Sequence, residues 1–220
     1  MNIGVPISQI KKLLPEGTKL VAVSKTKPPE LILEAYKSGH KIFGENKVQE
    51  LVRKFEVLPD DIEWHFIGHL QSNKVKYIAP FISFIHGIDS FKLLKVVNKE
   101  AAKNNRVIPC LLQFHIAKEP EKYGLELEEA RDFLSSPTFR ALENVQISGV
   151  MGMATFTDDS VQIRNEFKSL VSIFNLLKNE FFLNHPDFKE LSMGMSDDYK
   201  IALEEGSTIV RIGSIIFGAR

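Results

Sequence analysis

The chain has little of three things: cysteine, excess charge of one sign, and long hydrophobic runs. Its single cysteine, Cys110, excludes an internal disulfide and a cysteine-rich metal site. Cys110 lies in an apolar stretch, which predicts a buried and unreactive thiol. The 28 basic residues are balanced by 28 acidic ones. No basic field is therefore available to hold nucleic acid by counterion release.

Membrane and secretory signals are also missing. No apolar run approaches the ~20 residues that span a bilayer, and residues 1–9 carry no charged region of the kind that begins a secretory signal. The hydrophobic content of 44% is that of an ordinary globular protein. We therefore expect a cytoplasmic protein with one domain over residues 1–220 and neither a membrane nor a nucleic acid as partner.

What is present is an alternation of strand-like and helical patterns. The predicted strands are 19–25, 41–43, 64–68, 81–88, 107–116, 145–151, 190–192 and 208–212. Strands that alternate with helices indicate parallel βαβ units, and eight units predict a (β/α)8 TIM-type barrel. A doubly wound open sheet is the alternative, since it would not need the eighth strand beside the first. The long amphipathic helix predicted over 160–182 could cover the barrel or meet a partner.

One stretch points to chemistry. The apolar run Leu20-Val21-Ala22-Val23 leads into Ser24-Lys25 and predicts a strand buried on both faces. Lys25 then lies at the carboxyl end of that strand, where ligands bind in α/β folds. Burial disfavours an ammonium and leaves an amine nucleophile. We interpret Lys25 as a residue that forms a Schiff base with an aldehyde cofactor. The alternative is a solvated lysine in a loop.

In a barrel, the residues that follow each strand gather at one face. They include Lys25, Asn46, His69, His115, Thr155, Ser196, Gly213 and Ser214. This set has no metal-ligand spacing, so we expect no metal site.

The loops after strands seven and eight are the usual phosphate site of barrels. Ser196 is predicted to begin a helix there, and Gly213-Ser214 follows the last strand. With Lys25, these residues favour a phosphorylated aldehyde as ligand. Arg211 is predicted to point into the barrel, or else to form an inter-strand ion pair.

Five separated blocks occur in one order between Leu20 and Arg220. They are Val23-Ser24-Lys25-Thr26-Lys27-Pro28, Phe43-Gly44-Glu45-Asn46, Trp64-His65-Phe66-Ile67-Gly68 with Leu70-Gln71-Ser72-Asn73-Lys74, Leu191-Ser192-Met193-Gly194-Met195-Ser196-Asp197, and Val210-Arg211-Ile212-Gly213 with Phe217-Gly218. Together they resemble the pyridoxal phosphate homeostasis protein family.

The resemblance implies a single barrel like the N-terminal domain of alanine racemase, of fold type III among pyridoxal 5′-phosphate (PLP) proteins, with PLP bound covalently. It implies Lys25 as the Schiff-base lysine, with Lys27 a poor rival because it directly precedes Pro28. Arg211 would face the pyridine nitrogen and keep it unprotonated. Asn46 would lie beside the ring or the lysine.

The same resemblance assigns the phosphate to Ser196, Gly213 and Ser214. It also shows a departure. The run Gln113-Phe114-His115-Ile116 replaces a more usual Gln-Val-Asn-like run. His115 is therefore expected to form a changed wall of the pocket.

The function implied is storage, buffering or delivery of PLP, with PLP-dependent apoenzymes as candidate recipients. Racemases of this class add a β-domain that supplies a tyrosine base, and here the chain ends directly after the eighth unit. The tyrosines fall on predicted helices or a loop: Tyr36, Tyr77, Tyr123 and Tyr199. We therefore expect a monomeric carrier without efficient catalysis. The alternatives are a PLP-dependent racemase or lyase using the same lysine, and a Schiff-base aldolase.

Overall fold

The structure, a computed structural model, describes residues 3–118 and 123–218. Part of the loop predicted over 118–124 lies outside these ranges, as does Arg220. Within the described chain, no helix is both long and apolar enough to cross a membrane.

Eight parallel strands close into a barrel. They are β1 Lys19–Val23, β2 Ile42–Glu45, β3 Glu63–Phe66, β4 Phe84–Ile88, β5 Ile108–Gln113, β6 Val145–Met151, β7 Glu190–Ser192 and β8 Ile209–Ile212. Each strand pairs with the next along the chain, and β8 returns to pair with β1. In that closing pair Leu20 lies opposite Val210 and Ala22 lies opposite Ile212. The barrel prediction is confirmed, and the open sheet is excluded.

The helices lie outside the strands. They are α1 Gly4–Leu13, α2 Pro29–Lys37, α3 Val48–Phe55, a 3-10 turn Ser72–Lys74, α4 Val75–Ile78, α5 Phe91–Lys103, α6 Leu127–Ser135, α7 Pro137–Arg140, α8 Ser160–Phe181, α9 Tyr199–Glu204 and α10 Ser214–Phe217. The apolar stripe of α8 is buried against the barrel at Ile163, Phe167 and Leu170. It therefore covers this chain's own core.

Two element boundaries differ from prediction where they matter for the site. The first strand ends at Val23, so Lys25 lies in the turn after β1 and not within the strand. The seventh loop is longer than predicted, because α9 begins at Tyr199. The carboxylate of Asp198 accepts the Met195 N–H at 2.6 Å and holds this loop in a turn before the helix.

The core has two parts. Most buried apolar residues pack between strands and helices, and Cys110 among them is fully buried, which raises the pKa of its thiol. A smaller cluster fills the barrel interior: Val21, Phe84, Leu111, Met151 and Ile209. Strand side chains alternate between faces. Arg211, two residues after Ile209, therefore also points into the barrel.

Candidate functional site

A cavity of about 720 Å³ opens at the carboxyl end of the barrel. All six residues predicted for the site line it: Lys25, Asn46, Ser196, Arg211, Gly213 and Ser214. They come from the ends of β1, β2, β7 and β8, which the closed barrel brings together. The cavity size is in the range of small-molecule sites, about 300–1,000 Å³.

Lys25 reaches the cavity from a tight turn. The turn leaves the barrel after Ser24, whose N–H still bonds to the Gly44 carbonyl at 3.0 Å. Thr26 has a φ of 66°, in the left-handed region. Lys27 also lines the cavity, and its Nζ donates to the carbonyls of Phe217 and Gly218, both at 3.1 Å. The ammonium of Lys27 is thus engaged by the last described residues of the chain.

Arg211 is a buried cation at the cavity floor, only 3% exposed. Its guanidinium donates to Ser192 Oγ at 2.6 Å and to the Gly152 carbonyl at 3.1 Å. Burial lowers its pKa to about 10, and Asp198 opposes that shift. The side chain therefore stays charged near neutral pH and offers only hydrogen-bond donors to a ligand.

A hydrogen-bonded chain runs from Arg211 into the barrel. Ser192 Oγ lies 3.0 Å from His86 Nδ1, and His86 Nε2 lies 2.9 Å from His65 Nδ1. The Ser192 hydroxyl accepts from Arg211 and can donate onward to His86 Nδ1, an arrangement in which both histidines are neutral Nε2–H tautomers. Burial lowers the pKa of His65 to about 3 and that of His86 well below its usual value. The barrel interior is thus polar but uncharged beneath Arg211.

The loops after β7 and β8 meet at one side of the cavity. The N–H of Gly213 donates to Ser196 Oγ at 3.3 Å. Ser196 does not cap α9, because that helix starts three residues later. The prediction that Ser196 begins a helix is therefore wrong, although its place beside Gly213 and Ser214 agrees with the predicted grouping.

Asn46 owes its place to a glycine just after the neighbouring strand β3. A Cβ added at Gly68 would lie 2.6 Å from the Asn46 carbonyl and 2.8 Å from its Cβ. Only glycine allows the end of β3 to approach this closely. The Ile67-Gly68 pair of the sequence motif therefore has a packing reason.

On the far side of the cavity, His69 and Tyr123 stack with ring centroids 4.1 Å apart. His69 Nδ1 lies 2.8 Å from Asp89 Oδ2, which leaves Nε2 available to a ligand. Tyr123 is held through its carbonyl, which accepts from Gln113 Nε2 at 2.8 Å. The expectation that no tyrosine lies at the strand ends is therefore wrong for Tyr123. Its irregular loop carries no periodic signal that could have placed it.

Two residues predicted at this face do not reach the cavity. His115 is not among the described residues that line it, so the expected changed wall is wrong; Gln113 and Tyr123 line that side. Thr155 is turned away as well, because its N–H and hydroxyl both bond to the Glu166 carboxylate, at 2.6 and 2.8 Å. Tertiary contacts with α8 redirect this residue.

Among residues 3–118 and 123–218, no group of three or more histidine, cysteine or carboxylate side chains could hold a metal ion. His65 and His86 contact each other, while His69 pairs with Asp89. The side-chain donors that face the cavity include lysine and arginine cations, hydroxyls, the imidazole of His69 and the amides of Asn46 and Gln113. That chemistry suits an anionic organic ligand.

The fold corresponds to a known class. Residues 6–220 match the family model described as alanine racemase, N-terminal domain. Solved alanine racemases share the fold: the enzyme from Bartonella henselae superposes with a TM-score of 0.72 at 15% identity, covering 99% of this chain and 58% of that one.

Relatives with higher sequence identity define the family within this class. A protein of Aquifex aeolicus named pyridoxal phosphate homeostasis protein is 41% identical over 203 residues, covering 92% of this chain and 87% of the relative. The structure of PipY from Synechococcus elongatus with PLP bound has a TM-score of 0.88 at 33% identity and covers 98% of this chain and 100% of that one. The chain belongs to the pyridoxal phosphate homeostasis protein family, and the resemblance noted in the sequence is confirmed.

Proposed function

We propose that this protein binds PLP as a Lys25 Schiff base and acts in PLP homeostasis, storing, buffering or delivering the cofactor without efficient turnover. One observation carries the proposal. A single cavity joins a lysine, a pair of hydroxyl-bearing loops and a buried arginine. These groups match the aldehyde, the phosphate and the ring nitrogen of PLP. A related structure, PipY, holds PLP.

Lys25 is the better of the two lysines for the aldehyde. Lys27 also faces the cavity, where its ammonium donates to the carbonyls of Phe217 and Gly218, and it directly precedes Pro28 in the chain. Lys25 lies nearer the end of β1, the position at which barrels present reactive side chains.

The phosphate is assigned to Ser196, Gly213 and Ser214. Their loops already meet through the Gly213–Ser196 hydrogen bond. A hydroxyl bound to a charged oxygen contributes more than a neutral hydrogen bond. The position after β7 and β8 is the usual phosphate site of barrels.

Arg211 is assigned to the ring nitrogen, with Asn46 beside the ring or the lysine. A guanidinium can only donate, so a ring nitrogen facing it accepts and stays unprotonated. PLP supplies an electron sink when bound, and an unprotonated nitrogen weakens that sink. The buried Arg211 therefore disfavours reactions that need a fully developed electron sink. PLP-dependent apoenzymes are the proposed recipients.

The test is an absorption spectrum of the protein with PLP before and after borohydride, followed by peptide mass mapping. We expect a visible band that borohydride removes and a phosphopyridoxyl mass on the peptide that contains Lys25. A spectrum identical to that of free PLP, even with excess PLP, would overturn the proposal. The added mass on Lys27 alone would overturn the assignment of Lys25.

A racemase is the second candidate, and one observation favours it. His69 and Tyr123 stack on one side of the cavity and offer an acid–base group opposite Lys25, and racemisation needs such groups on both faces of the substrate carbon. Incubating the loaded protein with D- and L-amino acids in deuterated water separates the two functions. Rapid exchange at the α-carbon establishes the enzyme, whereas its absence supports the carrier.

A further inference from the structure

Three unfavourable features meet at the residues that flank Lys25. Thr26 is a β-branched residue in the left-handed region, with φ 66°. Lys54, on α3, carries a buried ammonium, with its side chain 5% exposed. Glu45 Oε2 is buried and has no hydrogen-bond partner in the described structure. Such features persist where the surrounding structure holds them for a function.

Lys54 is the centre of this group. Its Nζ donates to the Ser24 carbonyl at 2.8 Å and to the carboxylates of Glu45 and Glu50, both at 2.7 Å. All three donors of the ammonium are therefore used. One of them fixes the backbone of the residue directly before Lys25.

The two carboxylates complete the hold on the turn. Glu50 Oε1 accepts the N–H of Thr26 at 2.6 Å, so the residue directly after Lys25 is fixed as well. Glu45 Oε1 accepts from Ser24 Oγ at 2.6 Å. The backbone on both sides of Lys25 is thus tied to one buried ammonium.

Stability alone does not explain this arrangement. Burying an ion pair costs solvation that the attraction only partly recovers, so apolar residues in its place are often as stable. Here one carboxylate oxygen is also left without a partner. Glu45 and Lys54 are not among the described residues that line the cavity, so their effect on a ligand is indirect.

We propose that Lys54, with Glu45 and Glu50, is a positioning cluster that holds the strained turn so that Lys25 presents its amine to the cavity. This inference rests on the proposed function of Lys25. The cluster touches Ser24 and Thr26 and acts on the amine through the backbone. Without it, the turn relaxes and the amine is presented only part of the time.

The test compares Lys54→Met with Lys19→Met. Lys19 lies at the other end of β1 and pairs with the buried carboxylate of Glu190 at 2.6 Å. Both variants remove an ammonium from a buried carboxylate and keep most of the side-chain volume. Only Lys54 contacts the Lys25 turn, so general destabilisation affects both variants and loss of positioning affects one.

Two readouts are measured in each variant. The first is the rate at which PLP becomes attached to Lys25, followed by borohydride trapping and peptide mass. We expect it to fall between about tenfold and a hundredfold in Lys54→Met, because a displacement of about 1 Å can cost that much. The second is amide hydrogen exchange at Thr26 in the protein without PLP, which is expected to accelerate in Lys54→Met. Both quantities should stay near wild type in Lys19→Met.

The outcomes separate this inference from the function on which it rests. Equal attachment rates in Lys54→Met and wild type, with Thr26 exchange unchanged, overturn the positioning cluster and leave the carrier intact. Failure of the wild-type protein to attach PLP at Lys25 overturns the proposed function itself.

A second pair of variants covers the case in which Lys54→Met does not fold. Glu50 is partly exposed, at 23% of its side chain, and is easier to replace. Glu50→Gln keeps an oxygen that can accept from Thr26 N–H, whereas Glu50→Leu keeps none. We expect attachment to be slowest in Glu50→Leu and partly rescued in Glu50→Gln. Equal rates in the two variants overturn the proposal.

Discussion

The two ends of β1 use buried carboxylates in different ways. At the amino end, Glu190 has both oxygens bonded, one to Lys19 at 2.6 Å and one to Thr208 Oγ1 at 2.8 Å. At the carboxyl end, Glu45 has one oxygen bonded and the other buried without a partner. Thr26, also at the carboxyl end, adds backbone strain.

The contrast separates stability from function within one strand. An end where both oxygens of the buried carboxylate are paired avoids the cost of leaving a buried polar atom without a partner. Backbone strain and an unpaired buried oxygen both lower the free energy of unfolding. Such features persist where the surrounding structure fixes a particular geometry. Barrels follow this division, with ligands at the carboxyl ends of the strands and stability at the amino ends. Variants that change only one end of β1 can therefore test this division between ligand binding and stability.

Replacing Lys25 should have the largest effect. We expect Lys25→Ala to abolish covalent attachment of PLP and to leave the melting temperature nearly unchanged, because Lys25 lies in a turn and contributes little to the core. Lys19→Ala, at the amino end of β1, should lower the melting temperature and leave PLP attachment nearly unchanged. Borohydride trapping and thermal unfolding of both variants measure this. Unfolding of Lys25→Ala would show that Lys25 is structural.

Acid should lower the free energy of unfolding through His65, which is buried inside the barrel. The pKa of His65 is lowered to about 3 from 6.5 by burial, so between these pH values the unfolded chain binds more protons than the folded one. The free energy of unfolding should then fall as pH drops through this window, by up to about 1.4 kcal/mol per pH unit for this residue.

Urea unfolding at a series of pH values measures the acid effect, and NMR titration of the His65 ring identifies its source. A ring of His65 that titrates near pH 6.5 would contradict a dry, neutral barrel interior.

The smallest expected effect comes from a comparison of two serines, one at the cavity and one outside it. Ser196→Ala at the cavity should weaken PLP binding by about 1.5–3 kcal/mol, the value of a hydrogen bond to a charged group. Ser207, before β8, has its hydroxyl within 3.2 Å of three carbonyl oxygens and lies outside the cavity. Ser207→Ala should lower stability and keep PLP affinity. Calorimetry measures PLP affinity in both variants, and urea unfolding measures their stability. Unchanged affinity in Ser196→Ala would remove Ser196 from the phosphate site.

The sequence was informative wherever structure is local. The periodicity of apolar residues located eight strands, and their alternation with helices specified the barrel. Residues that follow strand ends, such as Lys25, Asn46 and Ser196, could be placed at one face because parallel strands in a barrel all end there. For Arg211 the sequence left two alternatives open, the barrel interior and an inter-strand ion pair, and the structure buries the side chain inside the barrel.

What local patterns could not supply were contacts between distant segments. Tyr123 enters the cavity because its irregular loop is tied back to Gln113, and Thr155 leaves it because Glu166 on α8 binds it. The carbonyl of Ser24, next to Lys25, accepts from Lys54, which lies 30 residues further along the chain. By itself, the sequence determined the strands, the helices and the family, because apolar periodicity and short motifs are properties of neighbouring residues. The tertiary structure alone decided which polar side chains meet, because buried polar groups take whatever partners the folded chain brings within hydrogen-bond distance.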